Sequence, residues 1–254
     1  TTITSNSWGY NMGNTPGPAG PDNENARVLR TSARLASQAQ WPRSLAGNPQ
    51  FSHFAPAVSV STPLTLFLTQ LLGHPPLPIQ AWWDSARCLH LQRGQRLLQA
   101  SDRWQHLWWV ERGALRLYYL DTGGAESNKN FFLEGDMLWP ITPRLRDAPA
   151  MFHVEPIEDD TVVWALPMLP ANAAAAAWPA WMGLEHSTLC ALLDGKMQRE
   201  QEFLQLSARQ RYELLLRQQP AWAERLPLRH LASFLGMTDV TLSRVRAELG
   251  LIKS

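Results

Sequence analysis

The chain has 254 residues, 45% of them hydrophobic, and its 23 Lys and Arg residues nearly balance its 22 Asp and Glu residues. This length can bury one large core or two modest ones. No apolar run approaches the roughly 20 residues that a membrane-spanning helix needs, and no secretory leader is recognisable. The two cysteines, Cys88 and Cys190, are too few for a disulfide scaffold or an iron–sulfur cluster. We therefore expect a cytoplasmic protein without a metal or other cofactor.

The charge is unevenly distributed along the chain. Residues 207–254 carry eight Lys and Arg against four Asp and Glu, a net charge of +4, whereas residues 63–170 carry a net charge of −3. A positive C-terminal part attracts the phosphates of nucleic acid. The surplus is modest and suits a DNA-binding dimer, although an ordinary helical domain would have a similar surface.

The first two segments differ in composition and in predicted secondary structure. Residues 1–62 are rich in Asn, Ser, Pro, Gly and Ala and predict a flexible arm. Residues 63–170 begin with the helical PLTLFLTQLLG and continue as short strands separated by Gly or Asp turns. In ALRLYYL we expect Leu115, Leu117 and Tyr119 to share one face, and DTGG at 121–124 predicts a hairpin turn. The pattern indicates a β-barrel or jelly roll.

Residues 171–206 return to a helical pattern. After NAAAAAWPAW, an amphipathic helix is predicted, interrupted only by Gly195. Four of its leucines are expected near one stripe, and a partner helix would bury them most simply. These candidate dimerisation residues are Leu184, Leu189, Leu192 and Leu193.

Residues 207–254 form a helical unit with Ser207 as the expected N-cap of its first helix. Within it, LRHLASFLGMTDVTLSRVRAEL has the spacing of a helix-turn-helix. Ala232 lies where two helices pack closely, and Gly236 can take the positive φ of the turn. Thr238 is the expected N-cap of the second helix. Leu242 and Val245 place its apolar face against the first helix.

The second helix predicts a DNA-binding surface. Its outward positions, together with one residue of the preceding helix, are Thr238, Asp239, Val240, Thr241, Ser243, Arg244, Arg246 and Arg229. Arg244 is the type of side chain that binds guanine N7 and O6 through two hydrogen bonds. We assign Arg246 and Arg229 to phosphate contacts. An ordinary helical hairpin that binds no DNA, or one that binds a protein, has the same apolar pattern.

The order of these parts resembles the cyclic-AMP receptor protein/Fnr (Crp/Fnr) family of bacterial transcription regulators. The segment from LHLQRG to FFLEGD is similar to that family's effector-binding roll, and LSARQRYELLLRQQ through RVRAEL is similar to its DNA-binding domain. The resemblance implies an α+β protein: a cyclic-nucleotide-binding-like β-roll (jelly roll) with flanking helices, a long dimerisation helix and a C-terminal (winged) helix-turn-helix domain. Only LGLIKS follows the second helix, so we expect the wing that many family members have to be short or absent. It also implies a homodimer that binds a palindromic operator in double-stranded DNA.

The roll departs from the family pattern where cyclic AMP would bind. Trp139 and Pro140 stand where a Gly-Glu pair would fall, and Ala150 and Met151 stand where Arg-Ser would fall. A buried phosphate would lack its Arg partner, so we do not expect cyclic AMP as the effector. The effector is thus unidentified, and the pocket suits a hydrophobic ligand or is a filled core. Its candidate residues are Phe132, Gly135, Asp136, Trp139, Met151 and Phe152.

An enzyme is the main alternative class. Cupin-like barrels bind a metal through closely spaced His residues, a Glu and a later His; this chain offers His106, Glu111 and His153 but no H-x-H. Haem sensing also stays open, through one of four histidines: His74, His90, His106 or His153. No P-loop, G-x-S-x-G or H-E-x-x-H motif is present. A protein that is not an enzyme is therefore expected.

Overall fold

The computed structural model describes residues 62–72, 82, 85–168 and 179–251. Apart from Thr62, the predicted N-terminal arm lies outside these ranges. The helices are α1 (Pro63–Leu72), α2 (Pro143–Asp147), α3 (Pro179–Gln205), α4 (Ala208–Gln218), α5 (Pro220–Arg225), α6 (Leu228–Phe234) and α7 (Asp239–Glu248). The strands are β1 (Arg87–Leu91), β2 (His106–Arg112), β3 (Leu115–Leu120), β4 (Glu126–Phe132), β5 (Met137–Leu138), β6 (His153–Pro156) and β7 (Thr161–Pro167).

The strands form two antiparallel sheets that enclose one core. The first sheet has the order β1-β7-β2-β5 and the second the order β4-β3-β6. Both sheets direct apolar side chains into a shared cluster, which includes Val110 and Val163 from the first sheet and Leu117, Phe132 and Val154 from the second. With the helices that follow, this arrangement confirms the predicted α+β class.

The hairpin of β3 and β4 has the predicted turn. Gly124, at φ +85°, donates its N–H to the Asp121 carbonyl at 3.1 Å.

Strand β3 keeps the predicted alternation. The register shifts between Leu117 and Tyr118 because the extra residue lies in β4. Tyr119 is 38% exposed, and its ring lies 6.4 Å from that of the core residue Phe152. Tyr118 is 1% exposed on the opposite face, where its ring lies 3.9 Å from the Arg116 guanidinium.

Helices cover the outer side of the first sheet. Leu64 and Leu68 of α1 pack in a cluster with Trp109 of β2 and with Trp181 and Leu184 of α3. Indole rings supply much of the buried area, and each large aromatic side chain buries about 150–250 Å². These contacts fix the first turns of α3 on the roll. The whole helix is about 40 Å long, and its remaining turns lead to the C-terminal helices.

The C-terminal helices pack in one core with Phe131 and Ile157 of the roll. The predicted cap of the first of these helices is confirmed: Ser207 Oγ accepts from the Gln210 N–H at 3.3 Å, and Gln210 Oε1 accepts from the Ser207 N–H at 2.9 Å. Tyr212, Trp222 and Leu231 are buried together in this core.

None of the helices within the described ranges is long and apolar enough to cross a bilayer.

Candidate nucleic-acid interface

Helices α6 and α7 form the helix-turn-helix that the sequence predicts. Gly236 has φ +64° in the turn, and the Met237 N–H donates to the Ala232 carbonyl at 3.0 Å. Ala232 is 0% exposed, so a larger side chain there would separate the two helices. Gly236 also lies against the Phe203 ring of α3. The turn therefore combines a left-handed backbone with a close contact to the long helix.

The second helix begins and packs as its sequence predicts. Thr238 Oγ1 accepts from the Thr241 N–H at 3.1 Å and so satisfies one of the free donors of the first turn. Asp239 follows in the first turn, where its carboxylate interacts favourably with the positive end of the helix dipole. Leu242 and Val245 are buried against α6. This buried face determines which residues of α7 point to solvent.

The predicted DNA-contacting residues lie on the opposite side of α7 or beside it. Thr238, Asp239, Val240, Arg244 and, on α6, Arg229 are exposed; Thr241, Ser243 and Arg246 are half-buried. Within the described ranges, no carboxylate forms an ion pair with Arg229, Arg244 or Arg246. Their guanidinium groups are thus available for phosphate or base contacts, and their roles stay predictions.

The helix-turn-helix is docked on the second sheet of the roll through hydrogen bonds to β4. Ser233 Oγ accepts from the Asn128 N–H at 2.9 Å and donates to the Glu126 carbonyl at 3.2 Å. These bonds satisfy two backbone groups of β4, a strand that has β3 on its other side. Helix α6 therefore covers the free edge of this sheet.

A buried ionic cluster lies at the same junction. Arg116 of β3 has 6% side-chain exposure and binds Glu126 through both terminal nitrogens, at 2.5 and 2.9 Å. It also donates to Glu155 Oε1 at 2.6 Å and to His230 Nδ1 at 3.4 Å. Tyr118 donates its hydroxyl to the second oxygen of Glu155 at 2.9 Å. The cluster joins the roll to α6 through His230.

Two pKa shifts follow from this arrangement. Burial, followed by the charges of Arg116 and Arg229, lowers the pKa of His230 to about 4. His230 is therefore neutral at physiological pH and can accept the Arg116 hydrogen bond. The hydrogen bond from Arg116, opposed by burial, lowers the pKa of Glu126. Both shifts favour the paired form of the cluster at neutral pH.

Aromatic packing completes the junction. The Phe131 ring of β4 lies edge-on to Trp222 at 5.1 Å between centroids and tilted to Phe234 at 5.6 Å. Arg225 of α5 forms ion pairs with Glu134 and Glu158, which follow β4 and β6. The sequence patterns did not predict this interface. Their one indication of it is that Arg116 in β3 and Glu155 in β6 each lie between apolar residues.

The predicted effector residues do not converge on one pocket. Phe132 and Phe152 are buried in the core between the two sheets, whereas Trp139 belongs to the cluster with α1 and α3. Asp136 Oδ2 accepts from the Leu133 N–H at 2.7 Å, so its carboxylate stabilises the turn around Gly135. Met151 is 53% exposed. The six side chains therefore lie in different surroundings, and their role in binding an effector stays a prediction.

The predicted dimerisation leucines also divide. Leu184 and Leu192 are buried in the protein's own core, while Leu189 and Leu193 are 41% and 57% exposed. The expectation of one shared stripe is therefore wrong for Leu184 and Leu192, which pack against the roll. Five of the six large exposed apolar residues of α3 instead follow a 7-4-4-7 spacing: Met182, Leu189, Leu193, Met197 and Leu204. The sixth, Phe203, lies against Gly236 of the helix-turn-helix.

The residues considered for a metal are not brought together. Glu111 accepts a hydrogen bond from Trp164 Nε1 at 2.5 Å, and His153 Nδ1 accepts one from the Ala100 N–H at 3.2 Å. Burial lowers the pKa of His106 to about 4. In the part of the chain that the structure describes, no three His, Cys, Asp or Glu residues cluster as a metal site would require. His74 lies outside the described residues.

No protein-family model and no curated protein matches this sequence. Solved structures do match it. FixK2 from Bradyrhizobium japonicum has a TM-score of 0.55 and 20% identity, over 65% of this chain and 84% of that chain. A CooA mutant from Carboxydothermus hydrogenoformans has a TM-score of 0.53 and 15% identity, over 87% and 88% of the two chains.

A protein from Eubacterium rectale described as a transcriptional regulator of the Crp/Fnr family has a TM-score of 0.52 and 18% identity, over 68% of this chain and 83% of that chain. The chain therefore has the fold of the Crp/Fnr regulators, as the resemblance of its sequence implies.

Proposed function

We propose that this chain is a homodimeric, cytoplasmic transcription regulator that binds a specific sequence in double-stranded DNA, and that it is not an enzyme. The observation that supports this most directly is the outer face of α7. It carries an exposed Arg244 on a helix whose opposite face, Leu242 and Val245, is fixed in a helix-turn-helix core. Such a helix inserts into the major groove, where arginine recognises guanine. The similarity in fold to a described transcriptional regulator adds to this support.

We expect Arg244→Ala to weaken operator binding by about 1–3 kcal/mol and to relax base preference at one position of each half-site. The operator is first obtained by selection from random DNA with the purified protein. Fluorescence anisotropy then compares this operator with a scrambled sequence at one fixed salt concentration, because phosphate contacts depend strongly on salt.

Arg93→Ala is the matched control, since Arg93 is exposed on the roll and its removal changes the net charge equally. Arg246→Ala and Arg229→Ala should weaken binding to the operator and to the scrambled sequence by similar factors, because both variants lose phosphate contacts. If Arg244→Ala also weakens binding to the two DNAs equally, the assignment of Arg244 to a base contact is wrong.

The dimer would form through the exposed apolar stripe of α3. Its five residues fall within a narrow arc of the helix, the geometry of a two-helix seam. A two-fold axis along this seam would place the two copies of α7 about 34–36 Å apart, one turn of DNA, and hence at palindromic half-sites. A dimer also presents to the DNA twice the positive charge of one C-terminal unit.

Leu193→Glu should raise the dimer dissociation constant by about 100-fold, because it removes apolar burial and places a carboxylate in the seam of each helix. Sedimentation velocity over a micromolar concentration series measures the change. Gln205→Glu is the matched control: Gln205 is exposed on the same helix, and no stripe residue lies three or four positions from it. A variant that stays as dimeric as the unmodified protein would exclude this stripe as the dimer contact.

The effector of the roll would not be cyclic AMP. The Ala150–Met151 pair itself supplies no arginine for a cyclic phosphate. The neighbouring Arg144 is exposed, with its Nη2 at 3.8 Å from Met151 Sδ, so a phosphate buried between the sheets would be unpaired, which is costly. Phe132 and Phe152, with Trp104 and Trp108, fill the described space between the two sheets. Calorimetric titration with cyclic AMP should give no binding heat at micromolar concentrations.

A further inference from the structure

A pair of polar side chains, His186 and Cys190, interrupts the exposed apolar stripe of α3. Both side chains are exposed, and Cys190 Sγ lies 3.7 Å from His186 Nε2. The two residues are four positions apart, so they lie on the same side of the helix, one turn from each other. Imidazole nitrogen and thiolate sulfur are both ligands of borderline-soft metal ions such as Zn²⁺.

The pair lies where a second copy of the helix would pack. His186 is four residues after Met182 and three before Leu189, so it fills the first of the two longer gaps in the stripe. At about 3.6 residues per turn, His186 falls inside the arc of the stripe and Cys190 about 20° beyond its edge. A two-fold axis along the stripe would therefore bring His186 and Cys190 of both copies to the same level of the seam.

The distance between the two side chains fits a shared metal ion. Zinc lies about 2.3 Å from a thiolate sulfur and about 2.0–2.1 Å from an imidazole nitrogen. In a tetrahedral site, these bonds place the sulfur and the nitrogen about 3.6 Å apart, close to the 3.7 Å between Cys190 Sγ and His186 Nε2. A spacing of i and i+4 on one helix face is also that of the two histidines in H-E-x-x-H zinc sites. The pair is therefore arranged to bind one ion.

One chain supplies only half of a structural zinc site. Within the described ranges, no third His, Cys, Asp or Glu side chain joins the pair in a group that could hold a metal. Structural zinc sites have four protein ligands, and two Cys with two His is one of the common sets. Two copies related by a two-fold axis would supply this set. Ligand spacing within one sequence does not reveal such a site, because half of the ligands belong to another copy of the chain.

The seam gives a second reason for a bound ion. A dimer formed through the stripe would remove His186 and Cys190 from water together with Leu189 and Leu193. Burial of polar groups without strong partners costs free energy, and the weak contact within each pair satisfies one nitrogen of each ring. A zinc ion on the axis would replace the lost water with four metal–ligand bonds.

A second Cys–His pair with the same separation lacks these features. Cys88 Sγ lies 3.7 Å from His90 Nε2 on β1. Burial, followed by the charge of Glu111, raises the pKa of the Cys88 thiol, so the thiolate that binds metals is disfavoured. This pair does not lie on the stripe, so the proposed two-fold axis would not bring its two copies together. It therefore supplies a matched control.

We propose that two copies of the chain bind one Zn²⁺ ion in the seam between their α3 helices, through His186 Nε2 and Cys190 Sγ of each copy. A closed set of four protein ligands leaves no position for a substrate, so the ion would be structural. It would fix the register of the two helices. The site rests on the proposed dimer through the stripe, and not on DNA binding or on an effector of the roll.

Co²⁺ is the spectroscopic probe, titrated into the reduced full chain without DNA. We expect the visible bands of tetrahedral Co²⁺ and a thiolate-to-cobalt charge-transfer band, which saturate at one ion per two chains and disappear when Zn²⁺ is added. Cys190→Ser should abolish the charge-transfer band. Cys190→Ser and His186→Gln should each weaken Zn²⁺ binding about 100-fold, because each removes two of the four ligands from the dimer. Cys88→Ser removes a thiol from the pair on β1 and should change neither the bands nor the affinity.

The dimer is measured separately from the metal. Sedimentation velocity without metal tests the proposed dimer, and Zn²⁺ should then lower the dimer dissociation constant by about tenfold or more, because the ion binds the dimer and not the monomer. A chelator should reverse the change. Leu193→Glu keeps both ligands of each chain but breaks the seam, so it should weaken Zn²⁺ binding.

Three results would each overturn the zinc site: cobalt bound without a thiolate band, saturation at one ion per chain, or equal Zn²⁺ affinity of Cys190→Ser and the unmodified protein. A metal-free protein that dimerises, and that loses its dimer in Leu193→Glu, but binds no Zn²⁺ would keep the proposed dimer and exclude the metal. Failure of the site and failure of the dimer are thus separate results.

Discussion

We expect Arg116→Met to lower the free energy of unfolding by about 3–5 kcal/mol, the range for breaking a buried ion pair by removing one partner. Arg116 has 6% side-chain exposure and Glu155 13%, so the variant leaves the Glu155 carboxylate buried beside Tyr118 without its closest cation. The cation that remains, Arg96, is 37% exposed and lies at 3.9 Å. Glu126, at 39% exposure, regains part of its hydration and contributes less. His230 also loses its hydrogen bond from the guanidinium. Urea unfolding followed by tryptophan fluorescence measures the loss.

Two further variants define the cause. Arg93→Met removes the same charge from an exposed pair with Asp159, whose side chains are 64% and 60% exposed, and should change stability by less than about 1 kcal/mol. Arg116→Lys keeps the charge but cannot bind Glu126 through two nitrogens and Glu155 at once, so it should fall between Arg116→Met and the unmodified protein. Equal stability of Arg116→Met and Arg93→Met would mean that the cluster contributes nothing to the docked arrangement.

Local patterns in the sequence predict the helix-turn-helix well. Gly236, Thr238 and Leu242 act within a few residues of their own position: one sets a turn, one caps a helix and one faces the adjacent helix. The same holds for the DTGG hairpin and for the Ser207 cap. In each case the stabilising interaction joins residues close in the sequence, and the residue type alone specifies it.

The docking of the helix-turn-helix on the roll could not be predicted in this way. Arg116 pairs with Glu155 across 39 residues and with His230 across 114. Along β3, an Arg between two apolar residues is the pattern of a half-exposed strand, and sequence alternation does not show that α6 covers its polar face. Only the packing of α6 on the roll brings the three side chains together.

The long helix shows a second kind of limit. Leu192 and Leu193 are neighbours in the sequence, yet one is buried in the protein's own core and the other is 57% exposed. Helix α3 is apolar on two faces, so the spacing of its leucines does not reveal which face packs on the roll.

The second large effect is expected from Gly113→Ala, which should destabilise the protein by about 2–5 kcal/mol. Gly113 joins β2 to β3 at φ +93°, and a left-handed backbone costs other residues about 1–2 kcal/mol. A Cβ there would also lie 2.9 Å from Thr161 Cβ and 3.0 Å from Thr161 Cα, closer than packed carbons allow. Thr161 cannot withdraw easily, because it is 0% exposed and its hydroxyl donates to the Glu158 carbonyl at 2.9 Å. Overpacking of this kind adds about 1–3 kcal/mol.

Gly124→Ala separates the two costs. Gly124 has a similar φ of +85°, but a Cβ there would meet no atom within 4 Å, so only the backbone cost of about 1–2 kcal/mol applies. The difference between the two variants in urea unfolding therefore measures the contact with Thr161. That contact holds β7 of the first sheet against the start of β3 in the second. Because Gly113 also donates its N–H to Glu134 at 2.7 Å, and Glu134 pairs with Arg225, a shift at this point extends to α5. Equal losses for the two alanine variants would show that Thr161 yields without cost and that the two sheets are not tightly joined at this corner.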